Sequence, residues 1–561
     1  MYKRVETLQK HLKASSGLSQ SFDQSGVRIS CTSTASADAG AEFRSKKGRE
    51  LISMLENKAE SEDNVQLLKD LSGPVRSGNM DAIECLITHM AAIKEGQMHR
   101  TYEAWCRKYG GKVGSNIAVV STITPQGGMP YIDTLVVIGH PEDARRVARV
   151  HVKKSNTYGV AFLGQGVLST RDNDSWKEQR RHLSESFMPK SSLSKIFPVS
   201  RDRAKYAVLD RLNDLSKGGK SVEINEFLLF EAMAQLQLAL LGESEKYMNE
   251  TNKDLRDSFK LALSVSGNVV DDFENRRQGR KYVQSYANAA IQRSRENQNI
   301  KGASESVFAG LPDAVKGPLM ARIRDNPLGM ENPKIDRDNA ATFLFAGHDT
   351  TANLMTHFTY EMAKRPEWQK RIQLEVDTLF DKMSAENREM HYDDLANLHE
   401  MKNCINEVLR LHPSVPNGTF REFQFDDEIR GPGDKLITVK KGTNCIISPW
   451  LLHRNEELWG DDADQWNPDR EWKPEEEWYS NDLWGTNPES ERFAPFTHPP
   501  RDCMGKNFAQ MEARVILSYL FRFYDVELAP PTKGKEVHEI SINQGTLGPK
   551  EGLYVYLHKR R

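Results

Sequence analysis

A ten-residue stretch near the C-terminus holds the most reactive side chain of the sequence. Residues 496–505 read Phe-Thr-His-Pro-Pro-Arg-Asp-Cys-Met-Gly, and a helical pattern of apolar residues follows from Lys506 to Phe523. Cys503 is therefore expected at or just before a helix N-terminus, where backbone N–H groups and the helix dipole favour an anion. A thiolate there can ligate a metal ion, and Gly505 lets a large flat group approach. The alternative is a buried structural cysteine.

A second candidate site lies in an apolar helical pattern that runs from Asp338 to Glu361. Ala346, Gly347 and Thr350 share one face of this helix by their spacing, which leaves room for a flat ligand and for dioxygen. The Thr350 hydroxyl can loosen the local hydrogen-bond ladder, and the Asp349 carboxylate can relay protons. The alternative, a helix cap, is disfavoured because the apolar pattern runs straight through these residues.

Two further pairs have helical spacing. Trp176 and Arg180 lie four residues apart and share a helix face, either as a surface cation–π pair or as ligands of an anionic group. Glu407 and Arg410 lie three residues apart, and charged pairs at this spacing usually lie on the protein surface. The apolar residues around Glu407 and Arg410 favour a buried pair instead.

Composition excludes several classes of protein. The chain has 561 residues and a net charge of −2, so bulk electrostatics give no case for nucleic-acid binding. Its six cysteines are scattered and form no CxxC pair, which argues against a disulfide framework, an iron–sulfur cluster or a zinc site. No stretch reaches the roughly 18 apolar residues that a membrane-spanning helix needs. Lys153 and Lys154 are expected to be solvated.

The stretches taken together, and in this order, resemble the motifs of the cytochrome P450 family. The family's cysteine loop reads Phe, two residues, Gly, one residue, Arg, one residue, Cys, one residue, Gly. Phe496, Arg501, Cys503 and Gly505 match this pattern. Pro499 stands where the family has its first Gly, so a different local backbone is expected there.

The resemblance covers about Met98 to Leu557 and implies a mainly α fold with a small β-rich subdomain. The chain then divides into a polar N-terminal tail (1–42), a helical N-terminal extension (43–97) and a catalytic domain (98–561). The tail is either an organelle transit peptide, for a mitochondrion or plastid, or the disordered tail of a cytoplasmic enzyme. Residues 301–337 suit loops and short helices.

The resemblance also implies site residues. Cys503 becomes the axial ligand of the iron in haem b, and Asp349 and Thr350 deliver protons for O–O cleavage. A structural network joins Glu407, Arg410 and Arg470. The implied cofactor-binding residues, the first four of them propionate partners, are Trp176, Arg180, Arg421, Arg501, Phe496, Gly505, Ala346 and Gly347.

The implied function is that of a monooxygenase acting on a small organic substrate with O2. Electrons come from a separate flavin reductase or ferredoxin, which is expected to dock on the face around Cys503, where Lys506 supplies positive charge. Residues 545–548 resemble a hairpin tip that closes the substrate pocket. The alternatives are a haem-thiolate isomerase or dehydratase and a non-catalytic haem-binding protein, neither of which needs the Asp349–Thr350 pair.

Overall fold

The structure is a computed structural model. It describes residues 20–23, 26–29, 62–123, 131–155, 163–186, 190–264, 269–297, 318–472, 490–530, 532–536, 541–543 and 545–560. Most of the predicted tail 1–42, and residues 43–61 of the predicted extension, lie outside these ranges.

Helices dominate the described chain, which confirms the predicted mainly α fold. Their bounds are Glu62–Asp70, Ala82–Lys94, Met98–Gly110, Pro141–Val150, Asn173–Ser184, Lys190–Tyr206, Ile224–Gln235, Glu245–Ala262, Val269–Asn297, Pro318–Arg324, Pro327–Glu331, Pro333–Lys364, Pro366–Ala385, His399–Leu411, Pro449–Leu452, Glu456–Trp459 and Lys506–Phe523.

The strands are short and form small sheets. They are β1 (Gln20–Asp23), β2 (Gly26–Ile29), β3 (Ile117–Ile123), β4 (Tyr131–Ile138), β5 (Val222–Glu223), β6 (Thr419–Glu422), β7 (Asp427–Arg430), β8 (Leu436–Val439), β9 (Asn444–Ile447), β10 (Tyr524–Leu528), β11 (Ser541–Asn543), β12 (Leu547–Pro549) and β13 (Tyr554–Lys559).

A 32-residue helix, Pro333–Lys364, runs through the centre of the fold and is called the long helix below. It begins at Asn332, whose side chain caps a first-turn N–H, with Pro333 at a position where its missing N–H costs nothing. It ends before Pro366, because a proline disfavours helical geometry at the preceding residue. It packs against Ile224–Gln235, Val269–Asn297, His399–Leu411 and Lys506–Phe523.

The bounds of the two helices that carry the candidate site were predicted from the sequence with different accuracy. The terminal helix, Lys506–Phe523, has the predicted bounds. The long helix begins five residues earlier and ends three residues later than the predicted span of 338–361. The earlier start lies in a segment where the prolines suggested loops, but Pro333 is a helix-start proline.

The β-rich subdomain is built on a four-stranded sheet in the order β3-β4-β9-β6, in which β4 and β9 are parallel and the other pairs antiparallel. Its apolar core is separate from the larger core among the helices. Helix Ala82–Lys94 belongs to this sheet core through Cys85 and Leu86, and the Val120 N–H donates to the Cys85 sulfur at 3.4 Å. The described part of the predicted extension, residues 62–97, therefore shares a core with the four-stranded sheet.

Two smaller structural observations bear on the N-terminal part and on membranes. β1 and β2 form an antiparallel hairpin within the predicted polar tail. No helix in the described ranges is both long and apolar enough to cross a lipid bilayer.

Candidate functional site

The cysteine loop closes on itself before the terminal helix begins. The Cys503 N–H donates to the Phe496 carbonyl at 2.9 Å, and the Thr497 hydroxyl donates to the Arg501 carbonyl at 3.4 Å. The Pro499–Pro500 peptide bond is cis, and Thr497 has a positive φ of 61°. Cys503 lies two residues before the helix N-cap, Gly505.

The Cys503 side chain is exposed although many protein atoms lie around it, whereas Cys85, Cys106, Cys404 and Cys445 are buried. A Cβ on Gly505 would contact only the Cys503 sulfur, at 3.8 Å, so the space beside this sulfur is open.

Burial raises the pKa of the Cys503 thiol above its ordinary value, and the Gly505 N–H offsets only part of that effect. The position of Cys503 at a helix start predicted a stabilised thiolate. Without a bound metal ion, the effect of burial on the thiol outweighs the effect of the helix start. A coordinated metal ion reverses the balance, because a ligating thiol is deprotonated by the metal's charge.

Asp502 ties the loop to two basic residues. Arg180 donates to the Asp502 carbonyl and to its Oδ1, each at 2.7 Å, and Lys506 donates to Oδ2 at 3.0 Å. Arg180 therefore braces the loop next to Cys503. Since both cations are largely buried against this carboxylate, Lys506 does not present the free positive charge expected on the donor-docking face.

Three buried cations gather beside the loop. Arg501 lies over the Trp176 ring, 4.5 Å from its centroid, and donates twice to the Thr170 carbonyl at 3.1 Å. Arg421, on β6, and Lys154 both donate to the hydroxyl of Thr419, at 2.7 and 2.9 Å. The structure thus brings together three of the four predicted propionate partners.

Lys154 is a member of this group that the sequence did not identify. Its residue exposure is 3%, so the expectation of a solvated lysine was wrong. Burial, followed by the charges of Arg421 and Arg501, lowers the pKa of Lys154 well below its ordinary value. The neighbouring charges of Arg421 and Arg501 make the local field positive, which favours an anionic ligand at this position.

On the long helix, Thr350 and Gly347 make different contacts. The Thr350 hydroxyl donates to the Ala346 carbonyl one turn earlier, at 2.7 Å, in the manner that loosens a helix ladder. A Cβ on Gly347 would lie 2.7 Å from the Leu236 side chain. Close packing against the neighbouring helical segment therefore explains why this position is a glycine. The room predicted for a ligand on this face then depends on Ala346.

Two segments cover the long helix near Thr350. The C-terminal hairpin, formed by β11 and β12, places the Thr546 hydroxyl against Asp349 Oδ2. The Leu547 N–H donates to the Ser414 carbonyl at 2.8 Å, and the Ser414 hydroxyl donates to the Thr350 carbonyl at 2.9 Å. The predicted pocket-closing tip thus lies over the predicted proton-relay pair.

The predicted structural network is present and buried. Glu407 and Arg410 are fully buried and form a bidentate pair with distances of 2.7 and 2.8 Å. Arg470 donates to Glu407 at 3.1 Å, and the Asn467 N–H adds a fourth interaction at 2.9 Å. Arg410 also donates to the carbonyls of His453 and Gln465, at 3.0 and 2.9 Å, which fixes the segments that lead toward the cysteine loop.

Comparison with known proteins places the chain in a family. Residues 129–555 match the family model described as Cytochrome P450, and the chain belongs to the cytochrome P450 family. The family implies a haem-iron cofactor, and the site suits one, since Cys503 offers a soft ligand beside open space and Lys154, Arg421 and Arg501 offer charge for carboxylates.

Relatives include enzymes from three kingdoms. The chain is 27% identical over 407 residues to the cytochrome P450 monooxygenase fsdH of Fusarium heterosporum, covering 68% of this chain and 66% of that protein. It is 33% identical over 225 residues to the cytokinin hydroxylase of Arabidopsis thaliana, covering 39% and 38%. It is 28% identical over 429 residues to leukotriene-B4 omega-hydroxylase 3 of Mus musculus, covering 71% and 77%. The chain thus spans less than two thirds of the length of the first two of these relatives, and all three are named as a monooxygenase or a hydroxylase.

Proposed function

We propose that this protein is a haem-thiolate monooxygenase that inserts one oxygen atom of O2 into a small organic substrate. Its cofactor is haem b, held through Cys503, and its electrons come from a separate flavin reductase or ferredoxin. The observation that carries the proposal is the cluster of Lys154, Arg421 and Arg501 beside the cysteine loop. Three buried cations suit a group that brings two carboxylates to the same place as the sulfur.

The chain's own residues divide the work. Cys503 supplies the ligand, and the Arg180–Asp502 contact fixes the position of its loop. The propionates of the cofactor would be oriented by Lys154, Arg421 and Arg501. Trp176 holds Arg501 in place by a cation–π contact. When bound, a thiolate-ligated haem supplies the electron density that favours cleavage of the O–O bond. Phe496 and Ala346 complete the contacts proposed on either side of it.

Thr350 and Asp349 supply protons at the oxygen-binding face. The Thr350 hydroxyl, which now bonds to the Ala346 carbonyl, can turn to hold a water molecule, and Asp349 connects that water to solvent. An isomerase or dehydratase of the same family has no use for such a pair. The presence of both residues on the long helix therefore favours oxygen insertion over rearrangement.

The proposal is tested by supplying NADPH, a flavin reductase or a ferredoxin system, and a panel of compounds. Leukotriene B4, a cytokinin and dodecanoic acid form a first panel, chosen from the relatives' names and from simple fatty acids. A substrate should shift the Soret band and yield a product heavier by one oxygen atom. Isomerised product without oxygen uptake would instead establish the rearrangement activity.

Replacing Thr350 with alanine should uncouple turnover. The variant should keep the haem spectrum and substrate binding, because the change removes only one methyl group and a hydroxyl that bonds back to its own helix. Reductant should still be consumed, but electrons should leave as hydrogen peroxide, so that product formed per reductant falls about tenfold or more. Product, reductant and peroxide are assayed together.

Thr359→Ala is the matched control for this experiment. Thr359 makes the same contact with its own helix, donating to the Met355 carbonyl at 2.8 Å, but lies farther along the long helix and is fully buried. Its product-to-reductant ratio should equal that of the unmodified protein. A similar ratio in Thr350→Ala would remove Thr350 from the mechanism.

Replacing Lys154 with methionine should weaken haem retention without unfolding the protein. Burying an ammonium in a positive field is costly, so its removal offsets the loss of the Lys154 hydrogen bond to Thr419. Bound propionates, by contrast, lose a partner. We expect haem to transfer to an excess of acceptor apoprotein about tenfold faster. Lys153→Met is the control, because the Lys153 ammonium pairs instead with Glu422 at 2.6 Å. Equal transfer rates would show that Lys154 holds no propionate.

A further inference from the structure

The C-terminal hairpin makes a specific polar contact with the acid of the long helix. The Thr546 hydroxyl donates to Asp349 Oδ2 and accepts from the Asn353 side chain at 3.1 Å. Asn353 is itself held by Asn225, which donates to Asn353 Oδ1 at 3.1 Å, and its amide lies 3.5 Å from Asp349 Oδ1. Thr546 is 8% exposed, so water competes little for its hydroxyl.

The close seating of the hairpin depends on its backbone. A Cβ on Gly548 would lie 2.8 Å from Asn353 Oδ1, and only glycine permits that approach. The hairpin is also anchored to the segment before β6 through the Leu547–Ser414 bond of 2.8 Å. The approach of Gly548 to Asn353 and the hydrogen bond of Leu547 to Ser414 therefore both fix the position of Thr546.

The acid and the alcohol of the proposed relay point to different partners. Consecutive residues of a helix differ by about 100° in direction. Thr350 donates to the Ala346 carbonyl, whereas Asp349 accepts from Thr546. The hairpin contacts Asp349 directly, and it is linked to the Thr350 carbonyl through Ser414, which Leu547 contacts.

We propose that Thr546 is a positioning residue for proton delivery: its hydroxyl holds the Asp349 carboxylate in the orientation from which protons move toward Thr350. The inference rests on the proposed function and adds to it a residue from outside the long helix. A charge-assisted hydrogen bond fixes the rotamer of a short carboxylate side chain more firmly than packing does. Without that donor, the carboxylate keeps only the weaker contact with Asn353 and spends less time in the productive orientation.

Four variants test the role of the hydroxyl. Thr546→Val removes the hydroxyl at nearly constant volume, and Thr546→Ser keeps it. Asp349→Asn, alone and combined with Thr546→Val, removes the group that Thr546 is proposed to hold. Oxygen consumption is followed with NADPH, a flavin reductase and the panel compound that shifts the Soret band most, in light and heavy water. Rates are expressed per haem measured in the carbon monoxide complex.

The expected result separates positioning from packing. Thr546→Val should lower kcat about tenfold with KM within twofold, and should enlarge the solvent isotope effect because proton delivery becomes slower. Thr546→Ser should keep at least half of kcat. In the Asp349→Asn background, Thr546→Val should cause no further loss, because the two changes interrupt the same step.

Ser541→Ala is the matched control for damage to the hairpin. Ser541 lies on β11 and its hydroxyl contacts His357 of the long helix at 3.0 Å, away from Asp349. This variant should keep the unmodified isotope effect. A Thr546→Ser protein as slow as Thr546→Val, or a further loss in the double variant, would overturn the inference, as would an unchanged kcat. If the unmodified protein consumes no reductant with any panel compound, that result contradicts the proposed function, and the inference about Thr546 is rejected with it.

Discussion

Glu407→Ala is expected to abolish haem incorporation rather than to slow turnover. Glu407 is fully buried between Arg410 and Arg470. Its removal leaves the buried Arg410 guanidinium without a carboxylate and leaves Arg470 with Asp462 alone. Breaking a buried pair in this way costs about 3–5 kcal/mol. That is a large part of the roughly 5–15 kcal/mol by which a domain is stable. Haem content per protein and the thermal unfolding midpoint measure the effect.

The chain offers a control with the same spacing in a different environment. Glu178 and Arg181 also lie three residues apart on a helix, but their side chains are exposed. Glu178→Ala should leave haem content and the unfolding midpoint unchanged, because exposed pairs are screened by water. A folded, haem-loaded Glu407→Ala protein would mean that Glu407 does not support the site.

Cys503→His is expected to remove the spectral signature of thiolate ligation. The reduced carbon monoxide complex of the unmodified protein should show the red-shifted Soret band of a thiolate-ligated haem. The histidine variant should lose this band, and oxygen insertion should fall below detection, because a neutral imidazole supplies less electron density to the iron.

Cys445→Ala is the control for Cys503→His. Cys445 is fully buried on β9, where burial raises the pKa of its thiol to about 12, so this residue stays a thiol in the core. The Cys445 variant should keep the red-shifted band. Persistence of that band in Cys503→His would assign the ligand to another cysteine.

Sequence reasoning succeeded where the signal is local. The bounds of the terminal helix were predicted from apolar residues at helical spacing, and the structure has the same bounds. The Glu407–Arg410 pair was predicted to be buried because apolar residues flank it on the same helix. These features depend on neighbours within a few positions, which a single sequence displays directly.

Features that depend on distant segments were missed. Lys154 was expected in solvent, because nothing near it in the sequence reveals that β6 and the cysteine loop will surround it. One miss was local: Lys506 was expected to offer free charge, but its ammonium donates to Asp502, only four residues away. Gly347 was assigned to a ligand, although Leu236, more than one hundred positions earlier, supplies a packing reason.

The contact of Thr546 with Asp349 also depends on a distant segment and could not be predicted from the sequence. The motif that contains Asp349 and Thr350 could be recognised within one helix. The residue that holds Asp349 comes from a hairpin almost two hundred positions later, and no spacing rule connects the two. Only the folded chain shows that the pair has a third member at its contact with the hairpin.

The separation of the site residues along the chain sets the order in which this protein can mature. Lys154 is made 349 residues before Cys503, and β13, which pairs with both β5 and β10, is the last strand to be made. At about 5–20 residues per second, a ribosome needs roughly 20–70 s to travel from the first of these positions to the second. During that interval the emerging chain contains Lys154 but lacks Arg501 and Cys503, which are made almost together. Cofactor loading therefore cannot be completed before the cysteine loop has been made, and it depends on the supply of haem from that moment.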